Sequence, residues 1–181
     1  MLDLQPLPVR NARVSESEKA AAALLVQQYI SRVPLTDSAG NTGLWTSIDP
    51  EIINAHAKED GIDLKTARER AEETVRFMAV RGAVDHVAKD GDFRIGMSGP
   101  VDRFWHCFLL YSPEYFAFCE NMCGFYVQHR PNPPSMTTEE TVDRLLNLLE
   151  VYEAAFGHAP DDRIWGINRG NVLARLNAVA A

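Results

Sequence analysis

Apolar residues recur every three to four positions through most of the chain, the spacing that turns one face of an α-helix toward a core. The run AAAALLVQQYI follows Ser15 and Glu18, which are spaced for a capping box, and the predicted helix stops near Arg32 because Pro34 disfavours helical backbone just before it. Asp49 ahead of Pro50 opens a second helix over EIINAHAKED, and Gly61 closes it. A longer helix is predicted from about Asp63 to Ala88. Its stripe is Leu64, Ala67, Ala71, Val75, Met78 and Val84, with the charged residues of TARERAEETVR mostly facing water. Pro100 begins a helix that runs to about Leu110, and Ser112 with Pro113 starts another that Gly124 ends. Thr137 with Glu140 repeats the capping-box spacing. Val142, Leu145, Leu146, Leu149 and Phe156 then mark an amphipathic helix ending at Gly157, and a final helix is expected from Asn171 to Ala180.

Between these segments TDSAGNTG, KDGDFRIGMSGP and HRPNPPSM are rich in turn formers, and Phe93 with Ile95 makes one short strand at most. Residues 1–14, with two prolines and no periodicity, read as an extended arm. The prediction is an all-α fold: a single domain over residues 1–181, with about six helices and at most one short strand pair.

Composition narrows the function classes. With 181 residues, 46% of them hydrophobic, the chain is long enough to bury roughly 70% of its extended surface. A formal charge of −7 argues against nucleic acid held through its phosphate backbone and leaves room only for a local basic patch. Three cysteines cannot all pair internally. Together with the lack of a signal-peptide pattern, this points to the cytoplasm. No apolar run approaches the roughly 20 residues of a membrane helix.

Chemistry concentrates between Val101 and Pro131. At 100° per residue Val101, Phe104, Trp105, Phe108 and Leu109 share an arc, and Asp102 and His106 lie together along its edge. Tyr115, Phe118, Cys119, Met122 and Cys123 share a face of the next helix, and His129 follows in a proline-stiffened stretch. The candidate cleft is therefore Asp102, Trp105, His106, Tyr115, Cys119 and His129. Imidazole, thiolate and carboxylate donors suit zinc or iron, so His106, Cys119, His129 and Asp102 form the candidate ligand set, with Asp102 either completing it or supporting it. The alternative is that the cysteines are small core residues and the histidines are satisfied by hydrogen bonds. Cys119 is a poor nucleophile candidate, since an apolar helical face lacks the electropositive surroundings that lower a thiol pKa. His56, His86 and His158 are expected at the surface, at a helix end or in a loop.

The elements VDRFWH at Val101 to His106, Tyr115, Cys119, Gly124 and HRP at His129 to Pro131 resemble the signature of the glycine-rich domain-containing protein-like family. LLEVYEAAFG and Trp165 are similar to that family's downstream segments. The likeness is dense over about 31 residues and diffuse over about 65 more. Members often carry W-H-x-H, where this chain has Phe108 in place of the second histidine. The resemblance implies a module seen in longer proteins and supplies no reaction.

Three functions follow as expectations. The first is a helical binding or scaffold module engaging a protein partner. The second is a metal-dependent enzyme, hydrolytic or oxidative. The third is a metal-free pocket for a small molecule anchored by Asp102 and His106.

Overall fold

The computed structural model describes residues 13–88, 93–97, 99–130 and 132–178. Eight α-helices occur among them: α1 Glu16–Ile30, α2 Pro50–Asp60, α3 Leu64–Val87, α4 Pro100–Leu110, α5 Ser112–Cys123, α6 Thr138–Phe156, α7 Asp162–Trp165 and α8 Arg169–Asn177. A 3₁₀ turn at Leu44–Ser47 precedes α2. The fold is all-α, and among the described residues the only β pairing is an isolated bridge between Thr36 and Thr42.

The sequence signals act where they stand. Both capping boxes form, Ser15 with Glu18 and Thr137 with Glu140, each stabilising its helix by about 1 kcal/mol. Gly61, Gly124 and Gly157 all close their helices in the left-handed conformation. The last helix starts at Arg169, earlier than expected, because Asn168 caps it by accepting from the Asn171 amide. The expected end at Ala180 lies outside the described residues. So does most of the arm, residues 1–12; Val14 is buried, and its amide donates to Asn147 Oδ1 at 3.0 Å.

Helix α3 runs through the middle, touching α1, α2, α4, α5, α6 and α7. That placement overturns the expectation that its charged residues mostly face water. Arg70 and Glu73 are each only 8% exposed. A buried charge persists when its hydrogen bonds are made. Glu73 accepts from the Tyr152 hydroxyl and the Trp165 indole, both at 2.8 Å, and pairs with Arg76, tying α3 to α6 and α7.

Two features of the packing shape one side of the molecule. Tyr115 accepts from Trp105 Nε1 at 3.0 Å and donates to the Val127 carbonyl at 2.6 Å, which locks α4, α5 and the chain beyond α5 together. The segment Phe93–Met97 is extended and pinned to α6: the Gly96 amide donates to the Arg144 carbonyl and Asn147 Nδ2 donates to the Arg94 carbonyl. The approach is close: a Cβ on Gly96 would stand 3.2 Å from Arg144 Cβ. Phe93 and Ile95 are buried while Arg94 lines a cleft, the period-2 alternation of a strand without a strand partner.

Candidate metal centre

That cleft, about 710 Å³, lies between α4, the Phe93–Met97 segment, α6 and the chain after α5. On one wall Asp102, His106 and His129 each offer a donor atom, all within 4.8 Å of one another. Asp102 and His106 are brought together by the four-residue spacing on α4. His129, 23 positions beyond His106, reaches them because Tyr115 holds the Val127 carbonyl against α5.

The Asp102–His129 separation is that of two groups around a common centre. Asp102 Oδ1 is 3.6 Å from His129 Nε2, and Asp102 Oδ2 is 3.7 Å from His106 Nδ1. Two ligands about 2.1 Å from one ion at the tetrahedral angle would stand roughly 3.4 Å apart. His106 Nδ1 lies 2.7 Å from the Asp102 carbonyl oxygen. A carbonyl can only accept, so Nδ1 carries the proton and Nε2 keeps its lone pair. The His129 ring is held between Trp105, at 4.4 Å between centroids, and His106, at 4.3 Å. Burial and the neighbouring His106 hold the His129 pKa below the usual imidazole value, against the opposing pull of Asp102. The neutral ring that results is the form that binds metals.

Exposure grades across the group. The side chains of Asp102 and His129 are 26% and 21% exposed, whereas His106 is 55% exposed at the rim. Three protein donors on the wall of an open cleft leave coordination positions for water or a substrate.

Four of the six candidate cleft residues, Asp102, Trp105, His106 and His129, do line this cleft. Tyr115 and Cys119 do not. Tyr115 is fully buried behind Trp105 and uses its hydroxyl in the two hydrogen bonds already described. Cys119 lies outside the group of converging donors, fully buried beside Tyr115, and burial raises its thiol pKa. The helical face that carries both residues turns into the core, away from the α4 edge that carries Asp102 and His106. The donors that converge are thus two imidazoles and a carboxylate, a harder candidate set than the one expected with a thiolate. Cys107 and Cys123 are also buried, the latter pushed up to about 11, so none of the thiols is poised as a nucleophile.

His56 departs from expectation in another direction. It is buried at 1% exposure, with Nε2 3.1 Å from Arg70 Nη1 and its ring edge-on to Phe104. Asp60, four residues on, is bound by both Arg70 and Arg103. His158 lies in a loop as expected, its Nδ1 donating to the Ala159 carbonyl.

Sequence reasoning missed the arginines that share the cleft. Arg81 from α3, Arg94, Arg130 and Arg144 from α6 all line the cleft. No sequence motif joins them, because they come from four separate segments. Among the described residues no helix is long and apolar enough to cross a membrane. Compared with protein-family models, curated proteins and solved structures, the chain matches none.

Proposed function

We propose that this protein is a metal-dependent enzyme whose single divalent ion is held by Asp102, His106 and His129. The observation that carries the reading is the convergence of three donors from two separate segments on the wall of an open cleft. An ion there would act as a Lewis acid on water or on a substrate oxygen. The chain's own part is to fix the donors: the Asp102 carbonyl sets the His106 tautomer, and Trp105, itself anchored on Tyr115, sets the His129 ring. Two nitrogens and an oxygen suit zinc or iron, and the metal retained separates a hydrolytic role (zinc) from an oxidative one (iron).

The scaffold reading explains the buried aromatics by packing alone. It gives no use to three polar groups gathered where water has access, with no ion pair between the carboxylate and an arginine among the described residues. The resemblance to the glycine-rich domain-containing protein-like family rests on the same α4 and α5 residues and adds no reaction. Elemental analysis of protein purified without an affinity tag tests the proposal. The expected result is one zinc or iron per chain, lost in Asp102→Ala and His129→Ala variants that retain the wild-type circular dichroism spectrum. Failure of the wild type to retain or take up any divalent ion would return the scaffold reading.

A further inference from the structure

The arginine wall names a substrate class for the same cleft, and the inference rests on the metal reading only for the reaction, not for the binding. Arg81, Arg94, Arg130 and Arg144 line the cleft that holds the Asp102 group. Arg81, Arg94 and Arg130 also line a second cavity of about 420 Å³, which shares that wall with the first. In a chain with a formal charge of −7, four guanidinium groups on one cavity are a local reversal of sign.

Their partners among the described residues are mostly neutral. Arg81 pairs with Asp85 at 3.1 Å. Arg130 Nε donates to Gln128 Oε1 at 2.9 Å and Arg144 Nη1 to Asn132 Oδ1 at 3.2 Å, both uncharged acceptors. Arg94 makes no side-chain ion pair with a described residue. Arg144 Nε is buried without any hydrogen-bond partner. A buried donor left unmatched is destabilising, and like charges crowd here: burial, then Arg94 and Arg81, act against the charged form of Arg144, with Glu140 opposing them. Such an arrangement is stabilised when an anion enters it, and the guanidinium fork fits the paired oxygens of phosphate and carboxylate groups.

Charge indicates how large the anion is. Arg81 is taken up by Asp85, and Arg94, Arg130 and Arg144 are opposed within the cleft lining by Glu140, which leaves an excess of two positive charges on the arginine side, Asp102 standing among its histidines. We infer that the cleft binds a small molecule bearing a doubly charged oxyanion, seated on Arg94, Arg130 and Arg144 with its reacting end toward Asp102, His106 and His129. A phosphate monoester and a dicarboxylate share this chemistry.

Calorimetric titration of the untagged protein with glycerol phosphate and with succinate, each with and without added zinc, tests the inference. One anion per chain is expected, with affinity weakened about tenfold or more in the Arg94→Gln/Arg144→Gln double variant and unchanged in Arg163→Gln, a surface control. Thermal melts of all variants establish that they are folded. Binding of glycerol phosphate alone assigns a phosphate ester, and binding of succinate alone assigns a dicarboxylate. Absence of binding for both at millimolar concentration, or equal binding in the double variant, overturns the inference. The Asp102→Asn variant keeps the two readings apart. Anion binding that persists there and in a wild type that takes up no metal supports the arginine site while the metal proposal fails.

Discussion

Among the described residues two histidine–aspartate pairs lie four positions apart within a single helix, His56 with Asp60 on α2 and Asp102 with His106 on α4, and they have opposite surroundings. Asp60 is enclosed by Arg70 and Arg103, and His56 is buried against Phe104 and Arg70. The first pair is closed: His56 Nε2 and Asp60 Oδ2 are both engaged by the protein's own arginines. Among the described residues Asp102 pairs with imidazoles and with no arginine, His106 is half exposed, and a third donor arrives from a distant loop. Spacing brings two residues together on a helix. The number of counter-charges that tertiary packing supplies decides whether the pair holds the fold together or stays available to a ligand.

The contrast can be broken first at Asp60. Asp60→Ala strands the buried Arg70 guanidinium and should cost about 3–5 kcal/mol, lowering the melting temperature by roughly 10 °C in a chain of this length; scanning calorimetry reads it. Asp102→Ala should lose no more than about 1 kcal/mol, the value of a carboxylate in the first turn of a helix. It should, however, weaken zinc binding more than about 100-fold, beyond the loss typical of an outer-shell partner, as measured by competition with a chromophoric chelator.

The pH dependence of stability sharpens the contrast next. Burial holds His56 down to about 4, below the 6.5 of an unfolded chain. Between those values the unfolded chain binds the proton and the folded one does not, so stability falls as pH drops from about 6.5 to about 4. The loss should approach about 3 kcal/mol at the low end. Urea unfolding at a series of pH values should show this slope in the wild type and a flatter one in His56→Gln. The smallest effect is expected at Cys119. Cys119→Ala should leave the bound metal at its wild-type level and cost about 1 kcal/mol, a small core truncation, while a loss of metal would restore the thiolate to the ligand set.

Much of the fold was legible because its signals are local. A capping box is closed by residues three apart, and a glycine ends a helix by its own backbone freedom, so the boundaries of α1, α2, α5 and α6 followed from a few letters. Within the candidate centre the Asp102–His106 pair was legible for the same reason, one helical turn. His129 was recognised by residue type, and its convergence on the pair depends on Tyr115 bonding both Trp105 and Val127. Cys119 and Tyr115 share a helical face, and periodicity does not say whether such a face turns to a cleft or to the core.

Sequence alone determined most of the helices, most of their ends and the two donors one turn apart, since these depend on interactions within a few residues. Tertiary structure decided which charges are buried. Central α3 carries Arg70 and Glu73 into the core, where Asp60, Tyr152 and Trp165 satisfy them. It also decided that four arginines from unrelated segments share one cavity with Asp102, His106 and His129. The physical reason is that a helix face is set by the 3.6-residue repeat, whereas an electrostatic site is a sum over groups that only packing brings within a few ångströms.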